Sequence, residues 1–272
     1  MRIENVKTKK WPLITHGNGP SSESSLYKNI KEVFFKSVHE MQNIPKELSI
    51  ITWSIPNEKY ILGECMEKLG CKDGLHVIPF TKPFEWTGKV TKTLEYLKYI
   101  ETPYVMGLDA LDVIPSTDEG NLWEEILNHF KEMNVDILYN AESSSWPDKE
   151  FGTSLPKNHP LMYRLNKCKD IEETVYRDML NSNRCYLNSG CWIAKTSEMI
   201  KFYTSVYNLI EEYPESKKDE NYFGGEQGFV RAIMPEFFPN IRLDYNSTII
   251  QTLVGVEGDD INVHITQPRT EI

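Results

Sequence analysis

The sequence predicts an α/β fold with a mostly parallel central sheet and helices on both faces. Two observations favour this class. Apolar runs typical of strands buried on both faces, such as Leu48–Trp53 and the run that begins at Tyr104, alternate with segments whose apolar residues recur at helical spacing. The chain of 272 residues is 40% hydrophobic and can bury a substantial core. We therefore expect one domain that spans residues 1–272.

The predicted strands are apolar runs that lie between turns and helices. They cover residues 12–16, 48–53, 76–80, 104–115, 135–140, 186–194 and 261–265, with two further short segments at 243–245 and 249–253. The predicted helices cover a segment that ends at Gly70, a segment that opens at 86–92 and runs through Ile100, residues 122–133 and 197–212, and a last helix that starts at 224–230.

Two longer segments carry further expectations. Between Leu26 and Met41 apolar residues recur at helical spacing, so we expect a long amphipathic helix that stops before Pro45 and buries its apolar stripe in the core. Residues 149–183 are polar and rich in Lys, Asn and Pro. Such a segment predicts an irregular connection that serves as a lid or binding loop.

The charge and the cysteines restrict the class of protein. The net charge of -10, with no basic run longer than the pairs Lys9-Lys10 and Lys217-Lys218, argues against a surface for nucleic acid or an anionic membrane. The five cysteines are an odd count without a CxxC pair, which favours core thiols in a reducing compartment. The sequence shows no signal peptide and no apolar run long enough to span a bilayer. We expect a soluble, cytoplasmic protein.

Two aspartates follow the apolar run that begins at Tyr104. Asp109 and Asp112 lie at its carboxyl end, where open α/β sheets bind ligands. Two carboxylates three residues apart can hold one Mg2+ or Mn2+ ion, and such an ion can hold a diphosphate. The alternative is that Asp109 caps the turn and that Asp112 is solvated.

Further candidate groups lie in loops and at the starts of helices. His16-Gly17-Asn18-Gly19 offers an imidazole and backbone N–H groups that can approach a phosphate, although the same residues also make ordinary turns. Lys89, near the start of a predicted helix, suits an anion or a carboxylate partner, or is simply solvated.

Several of these segments, read together, carry a family resemblance that covers nearly the whole chain. They are His16–Pro20, Leu108–Val113, Asn140–Glu142, Trp146–Asp148, Leu187–Gly190, Glu226–Gln227, Leu243–Tyr245 and Ile250–Gln251. Together they resemble the glycosyltransferase domain of the procollagen lysyl hydroxylase family and its short viral and bacterial relatives. The resemblance implies a GT-A-like fold, which is related to the Rossmann fold.

One difference from this family is the order of the segments. In the family the His-Gly-Asn-Gly-Pro loop comes last, whereas here it comes first. We therefore predict a circular permutation of residues 1–20, which requires the two ends of the domain to lie close together. If the order is not permuted, His264 is the rival of His16 as a metal ligand.

The resemblance implies an enzyme that moves a hexose, glucose or galactose, from a UDP-sugar to a hydroxyl of a glycan, protein or small-molecule acceptor. Its implied metal ligands, for Mn2+ or Mg2+, are Asp109, Asp112 and His16. Its implied donor-binding residues are Gly17, Asn18 and Gly19 at the phosphates, Thr52 and Ser54 near the uridine, and Lys89 near the donor sugar or phosphate. The family has an aromatic residue between its two aspartates that stacks on the base, and Leu111 takes this place here.

The resemblance also suggests which residues act on the sugars. Glu226, with Gln227 and Asn188, would bind sugar hydroxyls and either receive the acceptor proton or stabilise positive charge at the anomeric carbon. Trp146 would pack on a sugar face. The alternatives are helix capping for Glu226, a strand-end turn for Asn188 and core packing for Trp146.

Two other classes of protein remain open. A sugar-nucleotide pyrophosphorylase would also need a metal and a nucleotide-binding sheet, but its first strand should lead into a glycine-rich basic loop, which Ser54–Glu58 is not. A catalytically inactive sugar-binding or scaffold domain would keep the fold without depending on a metal.

Overall fold

The computed structural model describes residues 1–81, 85, 87–116, 120–148, 152–219, 222–256 and 260–264. The strands of this part of the chain are β1 (Arg2–Asn5), β2 (Ile14–His16), β3 (Leu48–Ser54), β4 (Leu75–Pro79), β5 (Tyr104–Asp109), β6 (Val113–Pro115), β7 (Ile137–Glu142), β8 (Tyr186–Lys195), β9 (Ile241–Leu243), β10 (Ile250–Thr252) and β11 (Ile261–His264). The α-helices are α1 (Ser25–Lys36), α2 (Ile61–Lys68), α3 (Gly88–Leu97), α4 (Leu122–Met133), α5 (Pro160–Ile171), α6 (Thr196–Glu212) and α7 (Gly225–Phe237).

The strands form one large sheet and two small ones. The large sheet has six strands in the order β4-β3-β5-β8-β7-β9, and only β8 runs antiparallel to its neighbours. The small sheets are β10-β2-β6 and the antiparallel pair β1-β11. The predicted α/β class with a mostly parallel central sheet is therefore confirmed.

Helices cover both faces of the six-stranded sheet. Successive residues of a strand point to opposite faces, so Ile51 and Val105 pack in a core with α3, α5, α6 and α7. Their neighbours Ile50 and Met106 pack in a second core with α1, α2 and α4. This arrangement confirms the predicted layers.

The first helix is shorter than predicted. It ends at Lys36, because Ser37 is extended (φ -76°, ψ 153°) and its hydroxyl donates to the Val33 carbonyl at 2.7 Å. Beyond this point Val38 is 74% exposed and Met41 is 72% exposed, although both are in phase with the helical stripe. The helix stops before Pro45 as predicted, but the prediction that its apolar stripe continues in helix to Met41 is wrong.

The predicted irregular connection is largely helical. Residues 149–151 lie outside the described part of the chain, but α5 is followed directly by a π-helix, Glu172–Met179. Leu161, Leu165 and Cys168 are buried at helical spacing, and the Cys168 sulfur lies 3.9 Å from that of Met234 on α7. Residues 160–179 are thus packed structure, and the prediction of a lid or binding loop is wrong for them.

Two features of the strands matter for the site. The apolar segment 104–115 is not one strand, since it leaves the large sheet after Asp109 and joins β2 as β6. The strand β1 was not predicted, and its pairing with β11 places Arg2 opposite His264. The predicted permutation requires this kind of adjacency, although the permutation itself stays a prediction.

Within the described residues, none of the helices has both the length and the apolar character needed to cross a bilayer. All five cysteines are buried free thiols.

Candidate functional site

The candidate site lies at the carboxyl end of β5, and strand pairing brings its parts together. Asp109 is the last residue of β5, and Asp112 lies in the turn before β6. β6 pairs antiparallel with β2 so that Val113 lies opposite His16. The N–H of Gly17 also donates to the Asp112 carbonyl at 2.7 Å. The register therefore carries His16 to the aspartate pair.

His16, Asp109 and Asp112 form a compact cluster. The His16 Nε2 atom lies 3.6 Å from Asp109 Oδ2 and 3.4 Å from Asp112 Oδ1. One ligand atom from each residue lies within 4.8 Å of the other two. The imidazole is buried, whereas the side chain of Asp109 is 34% exposed and that of Asp112 is 16% exposed. The convergence of these three side chains, predicted from the sequence, is present.

The cluster fits a divalent cation. An octahedral ion with ligands at about 2.1 Å places neighbouring ligand atoms roughly 3 Å apart, and the observed separations need only a small contraction. The His16 Nε2 atom is buried and has no hydrogen-bond partner, which is costly unless another group uses its lone pair or its proton. One nitrogen and carboxylate oxygens form a donor set that suits Mn2+.

A glycine makes room for the cluster. A Cβ atom at Gly190 of β8 would lie 2.4 Å from Asp109 Oδ2 and 2.4 Å from His16 Cε1. Any larger residue would displace one of these side chains. Gly190 had no role in the sequence-based assignment of the site.

Lys89, on the first turn of α3, links the acids of the site. Its Nζ atom lies 2.7 Å from Asp109 Oδ1 and 3.3 Å from Glu226 Oε1, and it sits 4.2 Å from the centroid of the Trp53 ring. Lys89 is buried, so the alternative of a solvated lysine is wrong. Because Lys89 binds Oδ1, the other oxygen of Asp109 remains directed at His16.

In this cluster, the charged neighbours shift the pKa values in the direction opposite to the effect of burial. Burial alone would lower the pKa of Lys89, but Asp109 and Glu226 raise it above its ordinary value. Burial alone would raise the pKa of Asp109, but Lys89 and His16 lower it to about 2. Burial would likewise lower the pKa of His16, but Cys191, Asp112 and Asp109 raise it well above its ordinary value. At neutral pH the site therefore contains charged Lys89 beside charged Asp109.

Glu226 and Gln227 occupy the first turn of α7. Glu226 Oε1 accepts a hydrogen bond from the Ser189 hydroxyl at 3.0 Å in addition to its contact with Lys89. Gln227 Oε1 accepts from the Ser189 N–H at 3.0 Å, and Gln227 Nε2 donates to the Trp146 carbonyl at 2.8 Å. Glu226 is therefore an ion-pair partner at the site, whereas Gln227 ties α7 to β8 and to the segment of Trp146.

Asn188 and Trp146 differ in exposure. Asn188 is buried within β8, and its Oδ1 atom accepts from the Gly190 N–H at 3.0 Å. The alternative of a strand-end turn is therefore wrong, because Asn188 lies inside a strand. Trp146 is 43% exposed, so it is not a core residue, and part of its ring lies against Gly152.

Glu142, at the end of β7, had no role in the sequence-based assignment of the site. Its carboxylate accepts from Asn18 Nδ2 at 2.6 Å and from Gln227 Nε2 at 3.0 Å. It is buried, and burial raises its pKa to about 6. Asn140, two residues earlier, lies 3.1 Å from His16 Nδ1. Polar residues at the end of an apolar run were the available signal for both.

The loop His16–Gly19, which was predicted to bind a phosphate, is partly engaged within the protein. The Gly17 N–H donates to the Asp112 carbonyl, and the Asn18 side chain donates to the Glu142 carboxylate. These two donors, which were predicted to bind a phosphate, are therefore used within the protein. Gly19 opens a 3-10 helix, Gly19–Glu23. The side chain of His264, the rival ligand, lies outside the described part of the chain.

The predicted base-binding residues differ in their access to solvent. Thr52 is fully buried and its hydroxyl donates to the Leu108 carbonyl at 2.7 Å, so it does not line an open surface. Ser54 is also buried, at the end of β3. Leu111 is 69% exposed beside the two aspartates and presents an apolar but non-aromatic surface.

Comparison with known proteins adds no assignment, because no protein-family model and no curated protein matches this chain.

Proposed function

We propose that this protein is a metal-dependent glycosyltransferase that moves a hexose from a UDP-sugar to an acceptor hydroxyl. The observation that carries the proposal is the meeting of His16 with Asp109 and Asp112 at the carboxyl end of β5. Open α/β sheets bind nucleotides at this end. A nucleotide diphosphate and a divalent ion belong together because each neutralises the other.

The three residues of the cluster would hold Mn2+ or Mg2+. When bound, the ion supplies Lewis-acid chemistry that neutralises the diphosphate and the departing UDP. Asp109 offers Oδ2 while Lys89 keeps Oδ1. Among the described residues, the ion-pair partner of the Asp112 carboxylate is His16, so no lysine or arginine competes with the ion for it there.

Lys89 contacts Asp109, one of the proposed ligands, and Glu226 contacts Lys89. The Lys89 ammonium is fixed by two carboxylates and by the Trp53 ring, so it can bind a donor phosphate or sugar oxygen without a large rearrangement. Glu226 can accept a hydrogen bond from a sugar hydroxyl, receive the acceptor proton or stabilise positive charge at the anomeric carbon. Trp146 offers an exposed ring to a sugar face.

The test is UDP release from a panel of UDP-sugars, measured with Mn2+ and with EDTA. We expect release with Mn2+, little release with EDTA, and loss of release in Asp112→Ala with an unchanged circular dichroism spectrum. The matched control is Asp73→Ala, because Asp73 is an exposed acid on a surface turn. Release that persists in Asp112→Ala, or that EDTA does not affect, would refute the proposed site. Absence of release with every donor would favour a sugar-binding domain.

A further inference from the structure

The ring of His16 is held on the side away from the acids by a chain of three polar groups. Its Nδ1 atom lies 3.1 Å from the side-chain amide of Asn140. The other end of that amide lies 2.8 Å from the Thr252 hydroxyl, and the Thr252 hydroxyl lies 2.5 Å from the Ala141 carbonyl. His16, Asn140 and Thr252 are all buried. Strand pairing explains the chain, because Thr252 of β10 lies opposite His16 of β2.

The Thr252 hydroxyl decides the direction of these hydrogen bonds. It has one proton, and the Ala141 carbonyl oxygen at 2.5 Å can only accept. The proton therefore goes to Ala141, since two oxygen acceptors so close together without a proton between them would repel each other strongly. The Thr252 oxygen is then left as an acceptor for Asn140.

Asn140 Nδ2 is assigned 3.1 Å from His16 Nδ1, and Asn140 Oδ1 is assigned 2.8 Å from the Thr252 hydroxyl. The position of the Thr252 proton requires the amide to be turned over, so that its NH2 faces Thr252 and its oxygen faces His16. The two ends of an Asn amide have nearly the same shape, so the network decides which end faces which neighbour. This orientation forgoes a hydrogen bond to Asn188 Oδ1, but that separation is 3.5 Å and the bond would be weak. The short Thr252–Ala141 contact outweighs it.

We propose that Asn140, oriented by Thr252, is a positioning residue that keeps the proton of the neutral His16 ring on Nδ1 and leaves the Nε2 lone pair facing Asp109 and Asp112. Histidines that bind metals commonly donate their other N–H to an oxygen, which fixes the ring and its tautomer. The opposite tautomer would place a hydrogen atom where the ion must lie. The inference deepens the proposed function and rests on its metal site.

The first test uses nuclear magnetic resonance to determine which nitrogen of the His16 ring carries the proton. In protein with 15N-labelled histidine, the signals of His16 are assigned by their loss in His16→Gln. All spectra are recorded on Mg2+-loaded protein, in which we expect the Nδ1–H form. Asn140→Ala should shift the neutral ring towards the Nε2–H form. A wild-type ring with its proton on Nε2 would overturn the inference.

The second test measures the affinity for Mn2+ alone by electron paramagnetic resonance of the free ion. We expect Asn140→Ala to bind Mn2+ about 10- to 100-fold more weakly and Thr252→Val to show a smaller loss. Asn140→Asp should retain binding, because it keeps the acceptor oxygen. The matched control is Thr196→Val, whose hydroxyl also donates to a backbone carbonyl, at 2.7 Å, but on α6.

The outcomes separate the inference from the proposed function. If the wild-type protein binds neither Mn2+ nor Mg2+, the metal site fails and the positioning role that rests on it is refuted with it. If it binds Mn2+ and a folded Asn140→Ala binds it equally well, the positioning role is refuted. If Asn140→Ala does not fold, the wild-type spectrum and the Thr252→Val affinity decide the question.

Discussion

Replacing Gly190 by alanine is the most direct test of the cluster geometry. The added methyl carbon would lie 2.4 Å from Asp109 Oδ2 and 2.4 Å from His16 Cε1. Non-bonded heavy atoms prefer separations of about 3.5 Å or more, so one side chain must retreat by about 1 Å. Neither moves freely, since Lys89 holds Asp109 at 2.7 Å and Asn140 holds the His16 ring.

The expected cost has two parts. A displacement of about 1 Å among reacting or ligating groups costs on the order of 100-fold in function, so we expect Gly190→Ala to lose about that factor in Mn2+-dependent UDP release, together with weaker Mn2+ binding. Overpacking of a buried site also lowers the free energy of unfolding by about 1–3 kcal/mol. Mn2+ titration and chemical denaturation measure the binding and the stability separately.

The matched control is Gly107→Ala on β5. A methyl group there would also approach a neighbour to 2.4 Å, but that neighbour is the Trp192 ring. We expect Gly107→Ala to lose stability while its Mn2+ affinity stays within about threefold of the wild type, a small free-energy change on the scale of 1.4 kcal/mol per tenfold. Equal losses of affinity in the two variants, or undiminished binding in Gly190→Ala, would refute the reasoning.

Three further predictions follow from the charged residues. Burial raises the pKa of Glu142 from 4.5 to about 6, so the folded state binds a proton on this carboxylate more tightly than the unfolded state does, and the free energy of unfolding should fall by about 2 kcal/mol as the pH rises from 4 to 7. Glu142→Gln should remove this pH dependence when denaturation is measured at pH 4 and at pH 7, and an unchanged pH dependence would contradict the assignment. Lys89→Met removes a positive charge 2.7 Å from Asp109 that would repel a bound cation, so the affinity for Mn2+ should rise by about tenfold or more while UDP release falls. An unchanged affinity in the Mn2+ titration would count against this charge interaction. Arg231→Met breaks the fully buried ion pair with Glu172 and should lower the free energy of unfolding by about 3–5 kcal/mol, whereas Arg164→Met, at the exposed pair with Glu236, should lower it by less than about 1 kcal/mol. Equal losses in chemical denaturation would show that burial does not set the cost.

The sequence predicted the bounds of an element correctly where the spacing of its apolar residues was enough to determine them. The helix Leu122–Met133 has the predicted bounds, because its apolar stripe is regular and no local polar contact interrupts it. The helix that begins at Ser25 has an equally regular stripe through Met41, yet it ends at Lys36, where the backbone of Ser37 is extended. Apolar periodicity does not show at which residue the backbone leaves the helical conformation.

The same limit applies to the site. Asp109, Asp112 and His16 could be proposed together from a family resemblance, and the structure brings them together. The contacts of Glu142 and Thr252 could not be predicted, since they depend on which strands pair and in which register. The pattern of apolar and polar residues shows where a strand ends, but it does not show which other strand lies beside that end.

The cluster joins two sheets, and this has a consequence for the order of folding. Asp109 ends a strand of the large sheet, whereas His16 belongs to the small sheet β10-β2-β6. Asn140, which holds His16, is 124 residues away along the chain. Contacts that span such lengths form late, because the entropy of closing long loops must be overcome first. A cation that needs all three ligands would therefore be captured only by the assembled protein, and would act as a clamp that slows the separation of the two sheets.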